Sequence, residues 1–451
     1  MVRLLAVLVV AQIMSVANAN LIAVALPPLS ADLGASAVQE QWIVDAYVLV
    51  FAALLVAGGV LADRYGRRRA LLAGFALFGV GSLVSALAPD PGVLIAARVV
   101  QALGPPLILP ASLAILTANL PDPAARARAI GYWGAASGFG VAVGPLIGGA
   151  VVSGFGWRWA FGVSVIVAAG LAFATRLVIP DDRPERSGHP FDWLGALLVT
   201  GALGALVFAL IEGPERGWGS FAVLGSFAVA LLALSVLIVA ERRHPAPLVD
   251  LDLVRQPVFA AANLAAATVL FVMLPTTVYL SAFLQEFRAL TPLQTGLALL
   301  PLGGAVALLA PVSGRLTAHV PRRLLIAGGL LCAAIGTLGL SRIGGEDGAG
   351  QLWLALLALG AGAGLALPPT TATAVSAAPR ARTGMASAIH NAGRQVGATL
   401  GVAALGSIVI AHAADGGSAA YAEGLSVALV VGAAALVLAA LVALKMLPKT
   451  G

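Results

Sequence analysis

Long apolar runs separated by short polar connectors set the pattern of this chain, and their length marks each run as a helix able to cross a membrane. A helix rises 1.5 Å per residue, so about 20 apolar residues span the roughly 30 Å hydrocarbon core of a bilayer. Fourteen runs reach that length. The first six cover 4–26, 42–61, 70–87, 93–116, 129–152 and 159–179. A polar, proline-bearing connector, PDDRPERSGHP, leads to two more, 193–211 and 221–240. After ERRHPAP come the last six, 258–280, 293–316, 324–340, 352–374, 384–412 and 425–446. The pattern predicts an all-α polytopic membrane protein with an N-terminal six-helix bundle over 1–179 and a C-terminal one over 258–446. Between them lie connectors over 180–192 and 241–257 and two additional central helices over 193–240, and a tail follows over 447–451.

The stretch GVLADRYGRRR, from Gly59 to Arg69, sets the sidedness. Arg64, Arg67, Arg68 and Arg69, with Asp63, sit in a connection too short to fold alone, so they lie at one membrane face. By the positive-inside rule that face is cytoplasmic. Alternating the spans from there puts twenty arginines and lysines on the same side and four, Arg158, Arg216, Arg288 and Arg342, on the other. A missing span near the middle would destroy that imbalance. Both termini are therefore expected in the cytoplasm of a cell-membrane protein. Arg3, the following apolar run and Ala17-Asn18-Ala19 imitate a cleavable signal peptide. The single charge and the continuation of the run to Leu26 favour an uncleaved first helix.

The chain also echoes itself. Gly59, Leu61, Arg67 and Arg68 match Gly314, Leu316, Arg322 and Arg323 at a constant offset, while Asp63 and Arg64 become Ala318 and His319. Six helices, two extra and six more suggest related halves, an arrangement that lets a transporter open a central site alternately to each side.

Composition narrows the function. The 451 residues are 60% hydrophobic and 10% charged with mean hydropathy +0.99, whereas a soluble globular chain is about one quarter charged. The net charge of +6 is distributed in small groups between apolar runs, so it reads as topological and nucleic-acid binding is not expected. Cys332 stands alone inside a run, and the five histidines are scattered with no metal-ligand spacing. No metal, no cofactor and no catalytic residues are expected, and so little mass outside the spans leaves scant room for an enzyme.

A few polar residues do not belong in lipid. Asp45 and Arg98 enter the second and fourth runs from the outer face, three and five residues in, at matching depth. A charge deep in a span costs on the order of 2.5–3.5 kcal/mol on insertion scales, so it usually turns to the bundle interior and a partner. Asp45 and Arg98 are expected to face each other or to share a polar network with Gln101, one turn from Arg98; the alternative has Asp45 reach interfacial water. In the thirteenth run, AIHNAGRQVGATLG, His390 and Arg394 are four apart, as are Asn391 and Gln395, giving two polar rows beside a smooth stripe of Gly393, Gly397 and Gly401. These rows line a cavity or brace the helix end, and histidine titrates near neutrality. Asn18 and Asn20 in the first run can bind a substrate or a neighbouring helix. In the fifth run, GYWGAASGFGVAVGPLIGGAV, Gly140, Gly144 and Gly148 repeat every four residues, and Pro145 removes a backbone donor. That pattern predicts a close and bending contact between the halves.

These motifs together resemble the major facilitator superfamily. GVLADRYGRRR looks like its loop between the second and third helices, and ARVVQALGPP is similar to its fourth-helix motif, with Ala102 where a glycine is usual. Gly131, Gly140, Gly144-Pro145 and Gly148-Gly149 resemble the antiporter motif of its exporters. WRWAF at 157–161, the two extra helices and GRQVGATLGVAALGS resemble the fourteen-helix drug:proton antiporter family. The resemblance implies that the loop, through Gly59, Asp63, Arg64, Gly66, Arg67 and Arg68, controls the inward-to-outward transition. It further implies that Arg98 affects proton coupling and that Gly144 and Pro145 shape the interface of the halves. Asn18 stands where members often carry an aspartate.

The expected function is a proton-coupled antiporter, acting as a monomer in the lipid bilayer and exporting small amphipathic molecules such as drugs, antibiotics or secondary metabolites. Asp45 is the leading proton carrier and His390 the second. An importer or facilitator of the same fold, a lipid flippase, and a non-transporting receptor or scaffold are the rivals.

Overall fold

The computed structural model describes residues 2–119, 123–181, 192–244, 247–317, 319–342, 349–379, 383–413 and 417–448. Arg183, Arg186, His189, Ala318, Arg380, Arg382 and Lys449 lie outside the described residues, as do the side chains of Arg126 and Arg128 and the surroundings of Gly131. In chain order the helices are α1 (Val2–Leu33), α2 (Ala37–Tyr65), α3 (Arg67–Ala86), α4 (Pro91–Ala102), α5 (Gly104–Ala118), α6 (Pro123–Phe155), α7 (Trp157–Val178), α8 (Trp193–Arg216) and α9 (Phe221–Arg243). They continue with α10 (Leu251–Arg255), α11 (Pro257–Glu286), α12 (Pro292–Leu316), α13 (Arg322–Ser341), α14 (Ala349–Ala377), α15 (Thr383–Ala413) and α16 (Gly417–Met446). Among the described residues fourteen segments are long and apolar enough to cross a membrane, with α4 and α5 forming one of them.

Local chemistry explains where the helices depart from the apolar runs. Ser36 and Gln39 form a capping box that starts α2 at Ala37, five residues before its apolar run. Asp45 is consequently eight residues into its helix, about 12 Å along the axis. Asp90 caps α4, with Pro91 in the first turn. The fourth run breaks at Leu103, because Pro105 and Pro106 lack the N–H groups that would continue α4 into α5. Between α2 and α3 the connection is the single residue Gly66, whose φ of 101° suits glycine alone. At this corner Arg67 Nε meets Asp63 Oδ1 at 2.9 Å, and Arg68 Nη2 donates to the carbonyl of Arg176 at the end of α7 at 3.0 Å. We call this side the basic face and the other the opposite face.

Six helices on each side of the extra pair pack as two related bundles. Within the first, α1 lies on α6 and α3 on α7; within the second, α11 lies on α15 and α13 on α16. Across the bundles, α6 meets α12 and α2 meets α15, two seams that exchange under the same twofold relation. The extra helices attach to one of them: α8 rests on both α2 and α15, and α9 lies outside it. Trp42 Nε1 donates to Glu212 Oε1 at 3.2 Å, and Leu49, Val207, Ile211 and Ala403 close the contact. Large side chains such as Phe173, Leu177, Leu232 and Leu354 remain exposed around the perimeter, as contact with hydrocarbon requires.

The glycine pattern of α6 works differently from its expectation. Gly140, Gly144 and Gly148 face Val16, Ala17 and Leu21 of α1, inside one bundle. Gly393, Gly397 and Gly401 do the same toward Asn263, Ala267 and Phe271 of α11 in the other. The seam between bundles uses the neighbouring face of α6, where Ala142, Pro145 and Gly149 meet Gly303, Gly296 and Pro292 of α12. One face of a helix serves one neighbour, and α1 has taken the stripe. Helices in lipid gain nothing from burying apolar surface against one another, so backbone proximity is what holds them.

A methyl group at Gly303 would collide with the Ala142 backbone, whereas one at Gly304 meets nothing within 4 Å. Gly303→Ala is therefore expected to destabilise the protein by about 1–3 kcal/mol and Gly304→Ala to have little effect. Thermal unfolding of the two purified variants, followed by tryptophan fluorescence, measures the difference.

Candidate functional site

Arg98 on α4 is fully buried, with no solvent access. Its Nε donates to the carbonyl of Ile43 at 3.1 Å, and its Nη1 donates to Asn18 Oδ1 at 3.0 Å and to Gln101 Oε1 at 2.5 Å. The guanidinium lies 4.2 Å from the centre of the Tyr47 ring, a cation–π contact strengthened by the burial of both groups. Gln101 passes the network on to Ser82 Oγ of α3 at 2.7 Å, and Asn18 Nδ2 donates to Ser164 Oγ of α7 at 3.2 Å. One cation thus ties five helices of the N-terminal bundle together through neutral acceptors. Three of the residues expected to carry function, Arg98, Gln101 and Asn18, meet here. Asn20 does not join them; its amide donates to the carbonyl of Val16 in its own helix at 2.9 Å.

Asp45 is equally buried, yet no ion pair with Arg98 occurs among the described residues. Helical geometry separates them. Tyr47 faces Arg98, and two residues back along α2 turns about 200° to the far side. Helical geometry puts Asp45 there, one turn from Gln41 on the side of α2 that meets the C-terminal bundle. Gln41 Nε2 donates across the seam to Tyr279 Oη of α11 at 3.0 Å, and that hydroxyl donates to the carbonyl of Val402 on α15 at 3.1 Å. Neither carboxyl oxygen of Asp45 has a hydrogen-bond partner among the described residues. The seam is fastened further at the opposite face: Gln285 Nε2 donates to the carbonyl of Val24 at 3.0 Å, and the N–H of Leu293 donates to Ser153 Oγ at 3.0 Å.

The C-terminal bundle holds its own polar knot. His390 on α15 has no solvent access; its Nδ1 lies 3.3 Å from Asn263 Oδ1 on α11 and its Nε2 lies 3.1 Å from Thr371 Oγ1 on α14. The Thr371 hydroxyl is also 3.1 Å from the carbonyl of Leu367. It can donate to a neutral ring at Nε2, or turn to Leu367 and accept from a protonated one. Arg394 Nη1 approaches Asn391 Oδ1 at 3.5 Å, and Asn391 Nδ2 donates to the carbonyl of Ser387 at 2.9 Å. Gln395 lies beside them, half-buried.

Ser82, Ser164, Tyr47, Tyr279, Asn263 and Thr371 complete these networks without having stood out in the sequence. Single hydroxyls and amides inside apolar runs carry no spacing signal, because their partners come from other helices. Gln41 is the exception, being one turn from Asp45 on the same face.

Residues 8–402 match the family model described as Major Facilitator Superfamily. The Multidrug resistance protein Stp of Mycobacterium tuberculosis is 38% identical over 395 residues, covering 87% of this chain and 73% of that protein. The Methylenomycin A resistance protein of Streptomyces coelicolor is 35% identical over 402 residues, covering 88% and 83%. The Tetracenomycin C resistance and export protein of Streptomyces glaucescens is 34% identical over 401 residues, covering 88% and 74%. Among solved structures, a mutant of the peptide transporter POT superposes with a TM-score of 0.71 at 17% identity, covering 98% of this chain and 95% of that one. A bacterial homolog of the human lysosomal transporter Spinster gives 0.67 at 20% identity, covering 98% and 96%. At these identities the two structures bear on the fold alone.

Removing the Arg98 side chain leaves three buried acceptors without their donor. Arg98→Ala is expected to cost on the order of 3 kcal/mol. Arg98→Lys keeps the charge but gives up the planar fork, so its unfolding midpoint is expected between those of Arg98→Ala and the unmodified chain. Thermal unfolding in detergent ranks the three.

Proposed function

Because the chain belongs to the major facilitator superfamily, we propose that it exports small amphipathic molecules in exchange for protons by alternating access. The observation that carries this reading is Asp45: a fully buried carboxyl group without a hydrogen-bond partner, at a seam that has to part if the opposite face is to open. The names of the antibiotic-resistance and export relatives support the substrate class. In this reading the basic face is cytoplasmic, both termini lie there, and the protein works as a monomer in the cell membrane.

The geometry suggests a sequence of steps. With the opposite face closed, Asp45 sits in a dry environment where an ionised carboxylate would have neither water nor a cation to stabilise it. A proton on Asp45 removes that charge and favours the closed seam. Opening the opposite face breaks the Gln41–Tyr279 and Gln285–Val24 bonds, wets Asp45, and lets it take up a proton from the outside as substrate leaves; after closure that proton is released toward the basic face when the next substrate binds. Inward proton movement through a 100 mV potential supplies about 2.3 kcal/mol per charge, enough for accumulation of tens-fold. His390 is the second candidate, since the Thr371 rotor accommodates both ring protonation states. Arg98 acts as a positioning residue that holds α2, and with it Asp45, against the seam. The Asp63–Arg67 pair and Arg68 at the Gly66 corner govern the transition by tying α2 and α3 to the end of α7, and Gly144 and Pro145 set the approach of α6 to its neighbours.

Asp45→Asn is expected to insert and fold normally but to lose pH-driven substrate transport in proteoliposomes. In an efflux-deficient host the intact chain should raise the inhibitory concentration of amphipathic antibiotics several-fold, and the variant should not. Full pH-driven transport by Asp45→Asn would remove this residue from the coupling. No difference between intact chain and empty vector across a broad panel would remove the export reading.

A further inference from the structure

We propose that a pocket on the basic face of the C-terminal bundle binds a phosphate group. The pocket has a volume of about 390 Å³ and is lined by Gln256, Arg322, Arg323, Thr373, Ser376 and Pro448, among others. Four helix ends converge on it: the starts of α11 and α13 and the ends of α14 and α16. Neither α11 nor α13 has a side-chain cap at its start, so both present the positive end of the helix dipole without an internal acceptor side chain.

The ends of α14 and α16 bring the negative ends of their dipoles to the same place, so the pocket's positive balance comes from its side chains. Arg322 Nη1 donates to Ser376 Oγ at 3.1 Å, a neutral hydroxyl that in turn donates to the carbonyl of Thr373 at 3.1 Å. Thr373 is 4% exposed, and its own hydroxyl has no hydrogen-bond partner among the described residues. Arg323 Nε is buried and likewise unpartnered. Among the described residues no aspartate or glutamate lines the pocket. Two guanidinium groups and an idle hydroxyl form a site suited to an anion with several acceptor oxygens, and phosphate matches that donor set.

The internal repeat explains how the site arose. In the first half Arg67 pairs with Asp63, and Arg68 donates to the Arg176 carbonyl with the Asp181 carboxylate 3.7 Å away. In the second half the sequence replaces Asp63 with Ala318, so the matching Arg322 and Arg323 keep their charge for another partner. That partner is the phosphate of an anionic lipid headgroup, with Val258 and Leu447 as an apolar wall, or a soluble phosphate.

The test uses the full chain in a neutral detergent and follows its thermal midpoint. Phosphatidylglycerol added as mixed micelles is expected to raise the midpoint by several degrees relative to phosphatidylcholine. The shift should vanish in Arg322→Gln/Arg323→Gln, shrink in Thr373→Val, and persist in Arg67→Gln/Arg68→Gln. A rise with millimolar inorganic phosphate, absent with chloride at equal ionic strength and dependent on the same residues, assigns the site to a soluble anion. If neither probe shifts the midpoint, or if Arg322→Gln/Arg323→Gln responds as the intact chain does, the site does not exist. Should that double variant fail to fold, Thr373→Val and Arg322→Lys/Arg323→Lys carry the comparison. Transport plays no part in this readout, so the site and the export function stand or fall separately.

Discussion

Hydrocarbon offers no hydrogen bonds, and every feature of this protein follows from that constraint. A polar group inside the bilayer must be satisfied by other parts of the chain or carry a cost of several kcal/mol. Arg98 meets the requirement by recruiting a backbone carbonyl, two side-chain amides and an aromatic face from its neighbours. His390 does the same with Asn263 and Thr371. Each knot draws together helices that are distant in sequence and ties them within one bundle. Asp45 is left outside both knots, and it lies where the bodies meet.

The same constraint decides how the bodies touch. With no hydrophobic gain between helices in lipid, close approach depends on small residues. The four-residue glycine stripes of α6 and α15 are spent inside their own bundles, on α1 and α11, and the α6–α12 seam is built from what remains: Ala142, Pro145 and Gly149 against Gly303, Gly296 and Pro292. A seam that is dry, smooth and closed by a few directional bonds has two advantages for a transporter. It can seal without a large buried area, and it can part without exposing much that water would resist. The third-party contact of α8 with α2 and α15 makes the two seams unequal, since one of them carries an additional helix.

Divergence between the halves is as informative as their likeness. The twofold relation places Arg67 and Arg68 over Arg322 and Arg323, but only the first pair retains its acid. Where Asp63 has no counterpart, Arg322 turns to the neutral hydroxyl of Ser376 and its charge is left for another partner. A repeat that had merely decayed would be expected to lose the arginines as well, for an unpaired charge near the bilayer is the expensive part.

Run length was enough to read the helical class and the number of crossings, because each depends on the solvent and not on a particular partner, and the repeated spacing of Gly59, Leu61, Arg67 and Arg68 pointed to the related halves. Arg98, Gln101 and Asn18 were legible as groups unfit for lipid. What the sequence could not contain was their pairing. Asp45 and Arg98 stand at similar depth, yet the rotation of α2 by two residues points them apart, and only packed helices reveal which face meets which neighbour. The glycines of α6 announced a close contact but not with whom, since a smooth stripe admits any neighbouring helix and the partner is chosen by packing. Tyr279, Ser164 and Thr371 were invisible for the same reason: a lone hydroxyl acquires its role from a residue brought to it by tertiary structure.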